Sequence, residues 1–554
     1  MMDFSMCPRA KRTARFEGEF RFPELKVFAV GDISRFVRIL RVLSPALSVR
    51  EVPREEANVV FSVATVFSQK NEYCYLRILK DRMEIHARDE MGARNAGAIL
   101  AQLLREDGKE FLLPCGTVED WPDAQFRGYM LESSGRAWLP MDEIRDWLRL
   151  MGLARFNQMV FNFMEDPGTT VPLDCYPDLA GDPVSNRKYA KDEVREMIAY
   201  ADDLGITVTP FVEVLSHSVD FTMKAGIACP GDDPKTMFAV CLGQEKTFEA
   251  IGRVLAEVAE LFPSPVLHVG GDEYDMRRGC DYTAHWDKCP LCQAKMKELG
   301  ITTMREYFHY GLERVNTIVN KLGKITMVWN ADMKPGELPA WLSRNMIVHY
   351  FNHSHPYAKE LLFNLYPDGY VKDGYTVVNS YYANTYLNDE GNYARDKDII
   401  TWSYLRSPAV APENRAKIAG GCACAWVGES FPRVVPPSIF LYGDRLWNAD
   451  DSGVLYDDEY GRTVTRALFD GKLPEDMNVF RIVGGMLPPQ DPDRKVRVKA
   501  IYATPIEVRE IRRALEDLAA KGHRLAAIYA DMAAAAEEYV ASQPEDLWPK
   551  GYTQ

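Results

Sequence analysis

With 554 residues and 47% hydrophobic content, the chain can bury more than one core, and its length exceeds that of a usual single domain. A formal net charge of −14, with no Lys/Arg-rich run interleaved with aromatics, argues against a phosphate-binding surface, so no nucleic-acid partner is expected. No run of about eighteen consecutive apolar residues occurs, which leaves no membrane-spanning helix to assign.

The opening segment MMDFSMCPRAKRTARFEGEF is polar and basic and lacks the apolar stretch of a secretory signal, so a soluble, cytoplasmic protein is the expectation. From residue 17 to 120 the pattern is mixed. Alternating segments at Asn58–Val63 and Arg82–Ala87 flank a helical stretch from Met91 to Leu104, which reads as a small α/β domain. The loop Glu119-Asp120-Trp121-Pro122-Asp123 breaks that pattern, and a different rhythm starts at Phe126.

Between residues 121 and 450, strand-like apolar runs alternate with amphipathic helical ones. The strand candidates are Gly128–Leu131, Gln158–Phe163, Thr207–Val214, Val266–Val269, Ile325–Trp329, Ile347–Phe351, Thr376–Asn379 and Cys422–Trp426. Helices are expected at Met141–Leu153, Lys191–Leu204, Lys246–Leu261 and Thr303–Leu322. Alternation of this kind predicts a (β/α)8 TIM barrel. From residue 451 to 554 a C-terminal helical region follows. Thr504-Pro505-Ile506-Glu507 supplies an N-cap, a first-turn proline and a capping-box glutamate for a long helical segment reaching about Val540. Its stripe of Val508, Ile511, Leu515, Leu518, Leu525, Ile528 and Met532 is expected to pack on the barrel, with a homodimer as the alternative use.

The richest motif is His268-Val269-Gly270-Gly271-Asp272-Glu273, directly after the apolar Pro265-Val266-Leu267. The glycines permit a tight turn and close backbone approach, and the carboxylates fall at the carboxyl end of a strand, where barrel enzymes keep their active sites. Glu165 and Asp166 follow the second strand, Glu213 and His217 end the third, and Trp329 ends the fifth, so all face one mouth. Two adjacent carboxylates do not easily flank one bond.

The motif Phe126-Arg127-Gly128-Tyr129-Met130-Leu131-Glu132-Ser133-Ser134-Gly135-Arg136, the run at His268–Glu273, Gly420–Trp426 and Asp444-Arg445-Leu446-Trp447 together resemble glycoside hydrolase family 20, the β-N-acetylhexosaminidases. The resemblance implies an exo-acting, retaining enzyme that releases terminal N-acetylglucosamine or N-acetylgalactosamine from oligosaccharides or glycoconjugates without a required cofactor. Its nucleophile would be the substrate's own acetamido oxygen. Glu273 would be the general acid/base and Asp272 would orient the acetamido group, with Glu165 and His217 as a relay behind Glu273. Arg136 would bind sugar hydroxyls, Trp329, Trp426 and either Tyr350 or Phe351 would wall the acetamido group, Tyr386 would donate to its carbonyl, and Asn388 and Glu429 would hold outer hydroxyls. Glu165 stands where the family has Asp, Asp332 where it commonly has Glu, and one extra residue separates Trp426 from Glu429.

Eleven cysteines in a chain of this size point to reduced, buried thiols rather than a disulfide framework. Cys280, His285, Cys289 and Cys292 follow the carboxylate pair, and Cys289-Pro290-Leu291-Cys292 has zinc-knuckle spacing, which makes them a candidate structural zinc set. His268, inside the strand motif, is expected to orient its neighbours. Two other readings stand beside the hydrolase: a carbohydrate-binding barrel with weak or lost turnover, motivated by Glu132, Glu165 and Asp332, and a metal-dependent hydrolase using His268, Asp272 and the Cys/His set.

Overall fold

The computed structural model describes residues 4–542 apart from 136–137, 167, 180, 182–185, 233–237, 275–283, 332, 353–365, 389–398, 427–430, 450–457, 484–485, 488–496 and 499–502. Eight strands lying between Arg12 and Asp120 form a mixed sheet in which Arg12–Phe22 and Cys74–Ile78 flank Glu110–Asp120. Helices Ser34–Leu43 and Glu90–Leu103 pack through Phe36, Leu40, Ala96 and Ile99 onto the core of this sheet. The second helix starts sharply because Asp89 caps it, its carboxylate accepting from Gly92 N at 2.8 Å.

Helix Glu90–Leu103 and the loop at Glu72 bridge to the second unit. Arg94 Nε donates to Leu204 O at 2.8 Å, and Arg127, 1% exposed at its side chain, pairs with Glu72 at 2.6 Å. Removing one member of such a buried pair strands the other charge, at a cost of about 3–5 kcal/mol. The connecting loop is fixed as firmly: the Asp120 carboxylate takes Trp447 Nε1 at 2.8 Å and the guanidinium of Arg155, which lies 4.1 Å over the Trp447 ring.

The second unit is a closed (β/α)8 barrel. Its strands are β1 (Phe126–Glu132), β2 (Gln158–Glu165), β3 (Thr207–Val212), β4 (Val266–His268), β5 (Ile325–Trp329), β6 (Ile347–Tyr350), β7 (Thr376–Asn379) and β8 (Ile418–Trp426). Each pairs in parallel with the next, and β8 returns to β1 through Cys422 opposite Gly128 and Ala425 opposite Leu131. All eight runs expected to be strands are strands. They read as apolar along their length because helices cover one face and the barrel interior the other. The expected helices form at Met141–Leu153, Lys191–Asp203, Glu245–Leu261 and Met304–Lys321.

Three features depart from expectation. A helix over Phe431–Trp447 closes the barrel although Pro436 and Pro437 lie inside it, and prolines there read as breakers in a sequence. The long C-terminal segment is two helices, Pro505–Ala520 and Arg524–Ala541, because Gly522 takes φ +89° between them. The first carries the expected capping box, with Glu507 N on Thr504 Oγ1 at 3.2 Å and Thr504 N on the Glu507 carboxylate at 2.7 Å. Val508, Ile511, Leu515, Leu518 and Met532 are buried in the same core as the barrel helices. This region also holds a short antiparallel pair, Met486–Leu487 with Arg497–Val498, that the helical reading did not include. No described helix is long and apolar enough to cross a membrane.

Candidate active site

The site lies at the carboxyl ends of β2, β3 and β4. Beyond β4 the chain turns through Gly270 at φ +69° and Gly271 at φ +85°, and only glycine fits the first of these. A Cβ on Gly270 would sit 1.5 Å from Glu213 Oε2. The closeness lets Gly271 N donate to Glu213 Oε1 at 2.7 Å, and Ser216 Oγ donates to Asp272 O at 2.5 Å. The loop after β3 thus grips the loop after β4 just where the carboxylate pair emerges.

His217 Nε2 stands 3.4 Å from Glu273 Oε2 and 4.0 Å from Asp272 Oδ2, with the three side chains 14%, 25% and 19% exposed. One ligand-type atom from each lies within 4.8 Å of the others. His217 has φ +42° and Glu273 φ +55°, left-handed conformations that cost a non-glycine residue about 1–2 kcal/mol each and that cluster at functional sites. Burial pulls the His217 imidazole down, but the contact with Glu273 and the charges of Asp272 and Glu165 outweigh it and hold its pKa at about 9. At neutral pH the ring is an imidazolium wedged between two carboxyl groups.

Burial also pushes Asp272 above the usual carboxylate range, against the opposing charge of His217. Glu213 beneath is wholly buried, and burial followed by the charge of Asp272 raises it far more. Both causes push the Glu213 carboxyl toward its neutral form, since a third carboxylate here would repel Asp272. Its position at the end of β3 had been noticed without a role; the two glycines opposite were the signal for a side chain packed against them.

The Glu165 carboxylate accepts from Asn162 Nδ2, and its charge reaches His217, Glu213 and Tyr386. Its neighbour Asp166 ties down the turn carrying His217: Asp166 N donates to His217 O at 2.8 Å and Val219 N to Asp166 Oδ1 at 2.8 Å. Burial lifts Asp166 to about 6, with the His217 charge pulling the other way. Glu132 serves a local turn, its carboxylate accepting from Ser134 N at 2.7 Å and from Ser134 Oγ at 2.5 Å.

The aromatic side chains converge next to the carboxylates. Trp329 meets Phe351 at 5.3 Å and Trp426 at 6.5 Å, and Tyr386 stacks on Phe351 at 6.1 Å and faces Trp426 at 5.8 Å. Tyr350 turns outward to Tyr370 and Tyr381, which leaves Phe351, the residue after β6, as the wall. Asn388 pairs by its backbone with Trp426 at the end of β8, and its side chain lies outside the described set. Arg136, Asp332, Glu429 and Cys280 also lie outside the described residues.

A buried polar chain underlies this box. Gly270 N donates to His268 Nδ1 at 3.1 Å, so the His268 proton is on Nε2, aimed at His349 Nδ1 3.1 Å away. His349 Nε2 then donates to Ser380 Oγ at 2.6 Å, and that hydroxyl to Cys422 O at 2.6 Å. Burial pulls His268 down to about 3, so the ring is neutral and both its nitrogens are engaged in orienting neighbours. A metal-dependent reaction that needs His268 as a ligand is not what this chain is built for.

The cysteine set requires a correction. Cys289 and Cys292 gather with Cys229 and Cys241, while His285 Nδ1 pairs with Asp232 Oδ1 at 2.8 Å and stays out of the group. The sequence spacing showed the knuckle but not its partners, which come from the loop after β3. All ten described cysteines are free thiols.

A closed barrel with a carboxylate pair, an imidazolium and a box of aromatic rings at its strand ends is a barrel of the glycoside-hydrolase type. The chain belongs to glycosyl hydrolase family 20, whose catalytic-domain model matches residues 125–440, more than half of its length. A beta-hexosaminidase of Porphyromonas gingivalis is 28% identical over 322 residues, 54% of this chain and 40% of the relative. The beta-hexosaminidase alpha subunit of Bos taurus is 28% identical over 352 residues, 60% of this chain and 62% of the relative. The chain spans about half the length of the first curated relatives it matches. In fold it resembles the beta-N-acetylhexosaminidase of Bacteroides fragilis, with a TM-score of 0.71 at 22% identity over 84% of this chain and 95% of that one.

Proposed function

We propose that this chain is an exo-acting, retaining β-N-acetylhexosaminidase that removes terminal N-acetylglucosamine or N-acetylgalactosamine with the substrate's acetamido oxygen as nucleophile. One observation carries the reading: Asp272 and Glu273 are consecutive residues whose carboxylates converge on one atom, His217 Nε2, at 4.0 and 3.4 Å, an arrangement that suits two groups with separate jobs better than an acid and a nucleophile on opposite faces of one sugar. A nucleophilic carboxylate would have to stand about 5 Å from the acid on the opposite side of the sugar.

In the proposed reaction the acetamido oxygen attacks the anomeric carbon as the glycosidic bond breaks. The bonding electrons pass to the leaving oxygen, which takes its proton from Glu273. Asp272 accepts from the acetamido N–H and offsets the positive charge that grows on that nitrogen. Glu273 then removes a proton from water, which opens the cyclic intermediate from the same face and leaves the configuration retained. The proton itself is held by the His217–Glu273 pair, and the Trp329, Phe351 and Trp426 rings offer apolar faces to the acetamido methyl. The names of the relatives support an enzyme of glycan breakdown, and the free-thiol composition suits a reducing, cytoplasmic setting; the acid/base chemistry proposed here calls on no cofactor.

The test is hydrolysis of nitrophenyl N-acetylglucosaminide and N-acetylgalactosaminide, with a thiazoline mimic of the cyclic intermediate as inhibitor. Turnover blocked by the thiazoline is expected. A covalent sugar trapped on Glu273, or turnover indifferent to the thiazoline, would refute the acetamido mechanism, and absence of turnover on both sugars would leave only a binding barrel.

A further inference from the structure

We propose that Cys229, Cys241, Cys289 and Cys292 form a structural zinc site that staples the loop bearing His217 to the loop bearing Asp272 and Glu273. The site is independent of the sugar chemistry proposed above.

Distances decide between the fates open to four neighbouring thiols. The sulfur of Cys229 is 3.8 Å from that of Cys292, and Cys241 is 3.8 Å from Cys289 and 3.6 Å from Cys292. All four lie within 4.8 Å of one another. A disulfide needs about 2.05 Å, and these separations are far beyond it. A tetrahedral zinc ion with Zn–S of about 2.3 Å sets its ligand sulfurs about 3.8 Å apart, the length of the tetrahedron's edge. The observed separations match that edge.

The surroundings suit a closed, non-catalytic site. Cys241 and Cys292 are fully buried, and Cys229 and Cys289 are 4% and 2% exposed, so there is no open coordination position for water or substrate. Cys289 caps the helix Pro290–Leu299, and Cys292 N donates to the Cys289 sulfur at 3.5 Å. Gly243 N approaches the Cys241 sulfur, and the Tyr307 hydroxyl approaches that of Cys292. Amide and hydroxyl donors of this kind are what four thiolates around a dication need, because the complex carries a net charge of −2. Binding exchanges four S–H protons for one zinc ion, with no change of oxidation state.

The backbone is shaped for the same purpose. A Cβ on Gly243 would fall 2.4 Å from Leu291 C and 2.5 Å from Cys292 N, so only a glycine lets the Cys241 segment lie against the knuckle. Trp286 Nε1 donates to Val240 O at 2.8 Å and stacks on Tyr274, one residue past Glu273. The thiols therefore sit at the far end of the same two loops whose near ends carry the carboxylate pair and its imidazolium.

The full chain, expressed with zinc in the medium and dialysed against a weak chelator, should carry one zinc per chain by elemental analysis. Exchange for cobalt(II) should give the thiolate-to-cobalt charge-transfer band and the visible spectrum of tetrahedral sulfur coordination. Cys229→Ser and Cys292→Ser should each lose the ion, and Cys175→Ser, remote from the cluster, should keep it. Stripping the unmodified protein with a strong chelator should lower Tm by roughly 5 °C or more, reversed by added zinc. If a serine variant fails to fold, the cobalt spectrum of the unmodified chain decides alone. Metal-free protein after expression with zinc, disulfides among these residues in the purified chain, or a cobalt spectrum without sulfur ligation would each overturn the site.

Discussion

Two clusters of ligating side chains join the loops after β3 and β4, and they are built on opposite terms. The thiol cluster is sealed, its four members drawn from a helix cap and from backbone in ordinary conformations. The carboxylate cluster opens to solvent, holds two non-glycine residues at positive φ and confines an imidazolium among acids. Each depends on one glycine that lets the two loops touch: Gly243 over Leu291 and Cys292, Gly270 over Glu213. The contrast teaches a division of labour. A reactive site needs charges held against their preferences, and the strain is tolerable only where neighbouring backbone is fixed by something inert.

Glu273→Gln separates the clusters most sharply. The amide keeps the shape of the side chain but cannot deliver a proton, so kcat on nitrophenyl N-acetylglucosaminide should fall by about 10²–10⁴-fold with zinc content unchanged. A variant turning over at the parent rate would remove Glu273 from the mechanism. Asp272→Asn should cost about 10²–10³-fold, the scale of losing one preorganised electrostatic partner, together with most of the affinity for the thiazoline. If thiazoline binding survives intact, Asp272 does not orient the acetamido group.

The glycines extend the comparison to the backbone. Gly270→Ala must displace Glu213 and adopt a left-handed conformation, so turnover should collapse by about 10²-fold while much of the fold persists. Gly243→Ala should do the reverse, with metal content and Tm falling first and activity following only as the loops separate. Elemental analysis, thermal denaturation and kinetics on the two variants side by side check this; identical profiles would show that the clusters are one unit and not two.

The legible part of this molecule was whatever a local pattern determines. Eight apolar runs read as strands because both faces of a barrel strand are buried, and Thr504 to Glu507 marked a helix start because the caps are neighbours in sequence. Glycines before Asp272 and Glu273 betrayed a tight turn at a strand end. Partnerships across loops were not legible. Cys229 and Cys241 lie 63 and 48 residues from the thiols they meet, and nothing near either one marks it as a ligand. Glu213 was visible only as a polar residue at a strand end, since its role depends on a backbone 58 residues away. Gly522 split a helix whose apolar stripe runs through the break without losing phase.

The smallest expected effect bears on how the open cluster stores its proton. His217 titrates near 9, raised from 6.5 by the acids around it, so the His217–Glu273 pair keeps its proton through neutrality and sheds it as pH rises through about 9. The alkaline limb of kcat/KM should therefore lie near that value, and in His217→Asn it should move to lower pH with a loss of roughly tenfold at neutrality, because Glu273 must then hold the proton unaided. Stability follows the same sign. A raised imidazole pKa favours the fold fully below about 6.5 and loses that contribution as pH climbs to about 9, so the stability gap between parent and His217→Asn should narrow across that window in denaturant titrations. A limb that stays in place after the substitution would mean that the imidazolium only props the loop, and that the proton belongs to the carboxyl alone.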